Sequence, residues 1–509
     1  MTPAPRRELL LAAASGLLLG AAFLPVALPV LAWFAFVPLL LMLERRIEAG
    51  AKLRSLFALG YAGGLAFFLT GTHWLALLND VALTVPALKY LGWVLAGAYL
   101  AVYWGLGVLL AGFLSRRSGV PARWTFVAAM MVVEELRGSG ELGFPWFQPG
   151  YTQHTMPPAL AMASLGSVTL VTIWVLATNA CVVAAWRSRR PRAVIALAVC
   201  LALPWLQPAA WAPPDLGEGR PHVSLVQGNI PGSIKWSGTH QSEILASFIA
   251  LTDSASRHDP KPLLHVWPET ATGSYLRKQV DQSLQVAALA SRVGAPVFSG
   301  FADYDYAPDG RPRASNAAGQ WGPDGSLSGT YAKRHLVPFG ERMPFQWLVP
   351  AIGKLDLGQA EWTPGESTVL LPSAFGPMAT LVCFESIFPD LARRDVNEGA
   401  QVLVNITNDE WFGNSAALYQ HAAMAPMRAA ENAVPLIRSA NTGLTMICDA
   451  RGRVVARAPV FTPTALVAAV PSPGPRTLYS RLGDWPGLAA ALACIVLLVF
   501  RRRRPSVEE

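Results

Sequence analysis

Eight long apolar runs constrain this chain more than any other feature, because about 17 to 25 consecutive apolar residues can cross a bilayer. The runs lie at residues 9–24, 26–43, 55–78, 90–114, 122–136, 158–186, 193–211 and 485–500. Hydrophobic residues make up 52% of the chain and charged residues only 15%, which excludes a disordered chain or a small disulfide scaffold. The sequence therefore predicts an α-helical membrane bundle of about eight transmembrane helices.

The basic residues between the runs predict the orientation of this bundle, since cytoplasmic connections carry an excess of Lys and Arg. If the N-terminus lies inside, the inner connections and the tail hold 17 basic residues, whereas the short outer connections hold two. The inner set is Arg6, Arg7, Arg45, Arg46, Lys52, Arg54, Arg116, Arg117, Arg123, Arg187, Arg189, Arg190, Arg192, Arg501, Arg502, Arg503 and Arg504, and the outer pair is Lys89 and Arg137. Both termini are therefore expected in the cytoplasm. The net charge of +8 records this orientation and does not indicate a nucleic acid partner.

Residues 215–480 contain no run of spanning length, and short apolar strands alternate there with amphipathic helices. Strands are predicted at 222–230, 263–267, 296–299, 378–383 and 401–406, helices at 239–256, 280–292 and 416–433, and hairpin turns at 322–325 and 449–452. This alternation is typical of an α/β domain, which the predicted topology places outside the cytoplasm. The predicted domains are 1–214 with seven helices, 215–480 with the α/β fold, and 481–509 with a last helix and a basic tail.

Three reactive side chains follow predicted strands of the outer domain, namely Glu269, Lys333 and Cys383. A thiol is a strong nucleophile, but with a free pKa of about 8.5 it needs a base or a nearby cation. A carboxylate can take the thiol proton, and an ammonium can stabilise the oxyanion of a tetrahedral intermediate. Each residue alone is more often a core cysteine or a solvated charge, and their spacing does not establish proximity. Together the three are chemically sufficient for acyl transfer through a thioester.

The segments around these residues resemble the three signatures of the carbon–nitrogen hydrolase (nitrilase) superfamily. The segments are Val-Trp-Pro-Glu at 266–269, Tyr-Ala-Lys-Arg-His-Leu-Val-Pro-Phe-Gly-Glu at 331–341 and Cys-Phe-Glu at 383–385. The resemblance implies a nitrilase-like αββα sandwich with a catalytic triad. In that triad Glu269 would be the general base, Lys333 would stabilise the oxyanion and Cys383 would be the nucleophile.

The apolar runs narrow the resemblance, because a nitrilase-like domain placed before a last transmembrane helix is similar to the bacterial apolipoprotein N-acyltransferases. Further segments that carry the resemblance lie at 135–138, 143–146, 150–151, 227–231, 408–413 and 438–443. It implies acyl transfer from a phospholipid, with phosphatidylethanolamine as the expected donor, through a cysteine thioester to the α-amino group of a diacylated apolipoprotein. It also implies a multi-pass protein of the bacterial inner membrane with a periplasmic catalytic domain. We expect a monomer without a cofactor, and no metal site, since the eight His show no ligand spacing.

Supporting or substrate-binding roles are expected for Glu341, Glu385, Trp236, Phe384 and Arg438. The two glutamates match further family positions and would orient the triad lysine or contact substrate, with N-capping or a surface ion pair as the alternative. Phe384 stands where the family equally has Tyr, which puts a hydroxyl contact there in doubt. Trp236 is either a substrate contact or an ordinary buried Trp.

Two details of the outer domain have more than one interpretation. The apolar and aromatic segment 343–352 is either an arm that enters the outer leaflet or a lid on the domain core. An oxidising compartment could pair Cys383 with Cys448, although their spacing suggests no disulfide framework.

Two other functions stay open at this point. A membrane-tethered amidase would use the same triad with water as the final acceptor. A scaffold or transporter would have an outer domain that has lost its activity. The Gly-Phe-Pro-Trp loop at 143–146 and the full set of runs favour the acyltransferase over the amidase, and the intact triad disfavours the scaffold.

Overall fold

The computed structural model describes residues 6–25, 28–78, 87–349 and 360–500. The chain divides into two compact units. The first takes its residues from Met1–Leu77, Ala87–Trp211 and Leu482–Glu509, and the second from Leu78–Pro86 and Ala212–Arg481.

The first unit is helical. Its helices are α1 (Arg6–Ala22), α2 (Val37–Glu48), α3 (Leu53–Gly71), α4 (Leu88–Ser118), α5 (Ala122–Arg137), α6 (Pro157–Ser188), α7 (Pro191–Ala202), α8 (Pro208–Trp211) and a last helix, Trp485–Val499. A helix overlaps each of the eight predicted apolar runs. Within the described residues three helical segments are long and apolar enough to cross a membrane, at Leu53–Leu77, Leu88–Ser118 and Pro157–Ser188. The count of eight spans stays a prediction.

Small residues allow the helices of this unit to approach closely. A Cβ atom on Gly16 of α1 would lie 2.0 Å from the backbone oxygen of Gly63 on α3, and one on Gly60 would lie 2.4 Å from that of Trp104 on α4. Such contacts between backbones are typical of helices that pack in a bilayer. The hydrophobic effect does not drive helices together there, and small residues let the helices pack closely enough to associate.

Buried ion pairs join the basic connections that the sequence places inside. Glu44 on α2 lies 2.6 Å from Nη1 of Arg123 and 2.7 Å from Nη1 of Arg187, and Glu8 on α1 pairs with Arg46. Because Glu8 and Glu44 are both buried, these pairs link helix ends whose charges would otherwise lie unpaired in an apolar unit.

The described residues of the second unit form two six-stranded sheets. The first has the order β12-β1-β2-β3-β4-β5 and the second β11-β10-β9-β8-β7-β6. The strands are β1 (His222–Gln227), β2 (Pro262–Val266), β3 (Val297–Tyr306), β4 (Pro312–Trp321), β5 (Leu327–Ala332), β6 (Leu370–Leu371), β7 (Met378–Val382), β8 (Val402–Thr407), β9 (Leu436–Ala440), β10 (Met446–Cys448), β11 (Val454–Arg457) and β12 (Thr464–Ala469). The helices of this unit are α9 (Gly232–Lys235), α10 (Gln241–Ala255), α11 (Val280–Val293), α12 (Pro389–Asn397), α13 (Ala416–Ala422), α14 (Met424–Asn432) and α15 (Leu478–Leu482). The last helix of the first unit, Trp485–Val499, is α16.

Two apolar layers hold this unit together. Side chains from both sheets, such as Leu225, Val266, Val404 and Ile437, form one core between the sheets. A second core lies between the first sheet and α10 and α11, and α12 and α14 pack on the second sheet. The predicted α/β sandwich is confirmed.

The predicted elements of this unit are also confirmed, with three adjustments. The first strand ends at Gln227 and not at 230, because Asn229 adopts a φ of +53° and leaves the extended conformation. The strand predicted at 296–299 continues to Tyr306 as one arm of a hairpin with β4. The helix predicted at 416–433 is divided at Ala423 into α13 and α14. Both predicted hairpins are present, as β4–β5 and β10–β11.

Parallel strands bring the candidate residues to the same edge. β7, β8 and β9 run parallel in the second sheet, and β1, β2 and β3 run parallel in the first. Cys383 follows β7 directly, Glu269 lies three residues beyond β2, and Lys333 follows β5. Side chains beyond the carboxyl ends of parallel strands commonly form the ligand site of an α/β fold.

Candidate active site

The backbone at Cys383 forms a strained turn at the end of β7. Its φ of +51° lies in the left-handed region, which a residue other than glycine seldom adopts. The next residues continue as a 3-10 turn, Cys383–Ile387, in which the Ser386 hydroxyl donates to the Cys383 carbonyl at 2.9 Å. His421 Nε2 lies 3.1 Å from the same carbonyl. At this turn Cys383 as a whole residue is partly exposed.

Glu269 is buried, and both of its carboxylate oxygens are held. Oε1 accepts a hydrogen bond from Nδ2 of Asn316 at 2.7 Å, and Oε2 accepts one from the backbone N–H of Asn408 at 2.8 Å. Oε1 also lies 3.7 Å from Nζ of Lys333. A carboxylate held in this way has a defined direction, as a general base requires.

Lys333 is buried between two carboxylates. Its Nζ donates to Glu341 at 2.9 Å and lies beyond hydrogen-bond range of Glu269. Burial opposes the charged form, but the charges of Glu341 and Glu269 outweigh it and raise the pKa of Lys333. The side chain is therefore an ammonium at any physiological pH.

The Cys383 thiol is protonated at rest. Desolvation and the charge of Glu269 raise its pKa, and the charge of Lys333 lowers it without cancelling the rise. The charges of Glu269 and Lys333, whose Oε1 and Nζ atoms lie 3.7 Å apart, both act on the thiol. A thiol with a raised pKa needs a base to become a nucleophile.

The two supporting glutamates have different positions. Glu341 pairs with Lys333, accepts a second hydrogen bond from the N–H of Val337 at 2.8 Å, and is no surface ion pair. Glu385 is fully buried and accepts hydrogen bonds of 2.7 Å from the Tyr331 hydroxyl and from the N–H groups of Arg334 and Val382. Glu385 therefore links the segment that carries Lys333 to the end of β7, which Cys383 follows.

The remaining three predicted residues divide between the surface and the interior. Trp236 is 38% exposed, so it is no ordinary buried Trp, and Lys235 Nζ lies 5.8 Å from the centre of its ring. Phe384 is buried and packs edge-on against Phe388 with 5.3 Å between ring centres. Arg438 is fully buried and donates to Asp409 at 2.8 Å.

Two families of known sequences match the chain. Residues 15–181 match the "Apolipoprotein N-acyltransferase N-terminal domain", and residues 222–476 match "Carbon-nitrogen hydrolase". An apolipoprotein N-acyltransferase of Geobacter metallireducens is 34% identical, over 98% of this chain and 96% of its own length. Its counterpart in Bradyrhizobium diazoefficiens is 32% identical over 87% and 85%, and that in Methylococcus capsulatus 32% identical over 98% and 97%. The chain belongs to the apolipoprotein N-acyltransferase family. The resemblance found in the sequence motifs is thereby confirmed.

In this member of the apolipoprotein N-acyltransferase family, several residues that no motif reasoning singled out also hold the site together. Asn316 on β4 bridges Glu269 and Glu341, with 3.1 Å between Nδ2 and Glu341 Oε1. Lys235 is fully buried and donates to the backbone oxygen of Glu269 at 3.2 Å. Burial lowers the pKa of Lys235 to about 8, against the charges of Glu269 and Glu410. In the sequence, the one signal for Lys235 is that it directly precedes Trp236.

A buried charged cluster lies behind the nucleophile. Asp409 accepts from Arg438, and His421 Nδ1 lies 3.0 Å from Asp409 Oδ1. Burial opposes the charge of Asp409, but Arg438 and His421 outweigh it and lower the pKa of the carboxyl. Burial together with the charge of Arg438 lowers the pKa of His421. Asp409 lies in the segment 408–413, which is one of those that carry the family resemblance. The sequence alone suggested no role for Asp409.

Two open points of the sequence are clarified. In segment 343–352, Phe345, Trp347, Leu348 and Val349 are exposed, Met343 is buried, and residues 350–352 lie outside the described part. The exposed side chains favour the arm over a lid packed on the domain core. All five cysteines are free, so Cys383 and Cys448 form no disulfide, and Cys448 is buried within β10.

Proposed function

We propose that this protein transfers an acyl chain from a membrane phospholipid to an apolipoprotein, the last step of bacterial lipoprotein maturation. The acceptor is the α-amino group of the N-terminal diacylglyceryl-cysteine. One observation carries the proposal: Glu269, held by two hydrogen bonds, and Lys333 lie 3.7 Å apart and both act electrostatically on the Cys383 thiol, which lies on a strained turn. Membership of an acyltransferase family supports it.

The first half-reaction forms a thioester. Glu269 takes the proton of the Cys383 thiol, and the thiolate attacks the sn-1 ester carbonyl of the phospholipid, with phosphatidylethanolamine as the expected donor. The Lys333 ammonium stabilises the oxyanion of the tetrahedral intermediate. When the intermediate collapses, the ester C–O bond breaks and the proton held by Glu269 passes to the leaving glycerol oxygen. Lysophospholipid leaves, and the acyl chain stays on sulfur.

The second half-reaction transfers the chain to nitrogen. The free amine of the acceptor attacks the thioester carbonyl, and Lys333 again stabilises the oxyanion. The C–S bond breaks as the amide forms, and a proton from the amine passes through Glu269 to the sulfur of Cys383. Because water competes with the amine for the thioester, the site must exclude water.

The setting of the reaction is the inner membrane. We infer eight spans with both termini in the cytoplasm, and a periplasmic catalytic domain at 215–480 between the helical parts 1–214 and 481–509. Two diacyl substrates cross bulk water slowly, so an exposed apolar segment next to the site helps to load them. Trp347 is 68% exposed and Leu348 63%, which fits contact with lipid.

Mass spectrometry of the full-length protein purified from membranes tests the acyl-enzyme. We expect a fatty-acyl adduct on Cys383 that hydroxylamine removes and that is absent in Cys383→Ala. Cys448→Ala is the matched control, because Cys448 lies in the same unit but is fully buried. Acyl transfer to a lipopeptide amine by Cys383→Ala would contradict the mechanism.

A second measurement separates transfer from hydrolysis. The enzyme is supplied with phosphatidylethanolamine vesicles and a diacylated lipopeptide, and the products are followed by mass. N-acylated peptide is expected. Free fatty acid without N-acylated peptide would mean that water is the acceptor and that the protein is an amidase-like hydrolase.

A further inference from the structure

Thr407 lies next to the nucleophile although it is distant in sequence. It is the last residue of β8, which runs parallel to β7. The register pairs Val382 with Ile406, so Thr407, the last residue of β8, lies beside Cys383, the first residue after β7. Thr407 is fully buried, and its hydroxyl donates to Oδ1 of Asp409 at 2.8 Å.

The Asp409 carboxylate does not depend on this one hydrogen bond. Oδ2 accepts from Arg438 Nη2 at 2.8 Å, and Oδ1 lies 3.0 Å from His421 Nδ1. Arg438 keeps a charge next to Asp409 whatever Thr407 does. If the Thr407 hydroxyl rotates away, the buried Asp409 carboxylate still has Arg438 and His421 as partners. The rotation therefore leaves no unpaired buried charge.

The hydroxyl has one proton to donate, and Thr407 adjoins two residues that can carry a negative charge, Asp409 and Cys383. A threonine hydroxyl donates a single hydrogen bond, and Asp409 receives it in this structure. Desolvation and the charge of Glu269 raise the pKa of the neighbouring thiol, and a hydrogen bond from the Thr407 side chain to the sulfur would lower it. The second acceptor of the hydroxyl is thus the sulfur of Cys383 once it is ionised.

We propose that the Thr407 hydroxyl is a switchable hydrogen-bond donor to the nucleophile. It points to Asp409 while Cys383 is a thiol or a thioester, and it turns to the sulfur whenever the sulfur is a thiolate. The thiolate occurs twice in the cycle, before attack on the ester and on release from the thioester, so Thr407 assists both half-reactions. The inference rests on Cys383 as the nucleophile of the proposed function, and it holds for any acyl acceptor.

The test measures alkylation of Cys383 by iodoacetamide against pH, on the full-length protein in nanodiscs, read by mass spectrometry. Thr407→Val removes the hydroxyl and keeps the shape, and Thr407→Ser keeps the hydroxyl. Thr380→Val is the matched control, since Thr380 lies on β7, is buried, and within the described residues its hydroxyl has no hydrogen-bond partner. The charged groups that act on the thiol, Glu269, Lys333 and Asp409, are the same in all four proteins.

We expect Thr407→Val to move the alkylation profile to higher pH and to slow alkylation at neutral pH about tenfold. Thr407→Ser should stay within about twofold of the wild type, and Thr380→Val should match it. A Thr407→Val profile that coincides with the wild type, or an equal shift in Thr380→Val, would overturn the proposal. Thermal melting checks the fold, and Thr407→Ala replaces the valine variant if that one melts early.

The same experiment separates this inference from the function on which it rests. Alkylation needs no lipid, so a shift in Thr407→Val without any phospholipid-derived adduct on Cys383 would reject the proposed donor and leave the switch standing. An adduct that forms at the wild-type rate in Thr407→Val would reject the switch and leave the proposed function standing.

Discussion

Glu341 lies 2.9 Å from Nζ of Lys333, whereas Glu269 lies 3.7 Å from it. The nearer carboxylate thus accepts the hydrogen bond of the lysine, and the other accepts its hydrogen bonds from Asn316 and Asn408. The hydrogen bond from Lys333 therefore distinguishes the two carboxylates. We expect Glu341 to hold the lysine and Glu269 to act as the base.

Glu341→Gln should slow acylation of Cys383 at least tenfold while the protein stays folded. Without the charge of Glu341, Lys333 would pair with Glu269 instead, and a base locked in an ion pair accepts a proton less readily. Single-turnover formation of the acyl adduct measures the change. Glu366→Gln serves as the control, because Glu366 is exposed in the same unit. Equal rates for Glu341→Gln and the control would contradict this division of tasks.

Asp409→Asn should destabilise the α/β unit by about 3–5 kcal/mol, because Arg438 would lose its buried counter-charge. Asp409 has a pKa below its ordinary value, so the stability it contributes is present above the usual carboxyl range and is lost as the pH falls. Thermal melting of the two proteins between pH 7 and pH 2 measures both effects. The difference between the melting curves should stay constant down to the ordinary Asp pKa of about 4 and shrink below it. A difference that does not shrink below that pH would show that the charge of Asp409 is not the cause.

Trp347→Ser combined with Leu348→Ser should raise the apparent KM for phospholipid in vesicles several-fold with little change in kcat. The two side chains are exposed and apolar, and their removal weakens contact with lipid without touching the triad. Val454→Ser is the control, because Val454 is 45% exposed on a strand of the same unit. A fall in kcat with unchanged KM would mean that the segment acts on the chemistry and not on loading.

The predicted orientation can be checked by labelling engineered cysteines with an impermeant maleimide in a Cys383→Ala background. Gly140→Cys lies in an outer connection and should label in intact spheroplasts, whereas Ser188→Cys lies in an inner one and should label only after lysis. Both positions are exposed in the structure, so accessibility within the protein does not bias the result. Labelling of Ser188→Cys from outside would reverse the assignment or change the number of spans.

Local sequence patterns predicted much of the α/β unit. The strands that end beside Glu269 and Cys383 are short apolar runs with turn residues after them, and that pattern depends only on neighbours in the chain. The patterns predicted element ends less well. Asn229 shortens β1 because it adopts a left-handed conformation. The strand β3 continues to Tyr306 because it pairs with β4, and a local sequence pattern does not contain that pairing.

The sequence alone determined the membrane-type composition, the α/β unit and the three residue types at strand ends, because these depend on short-range periodicity and motifs. Only the tertiary structure decided that Glu341 and not Glu269 accepts the hydrogen bond of Lys333, and that Thr407 adjoins Cys383. The physical reason is that strand register and loop packing set these contacts. A buried Asn316 or Asp409 looks like any polar residue until the fold removes water and leaves specific partners to satisfy it.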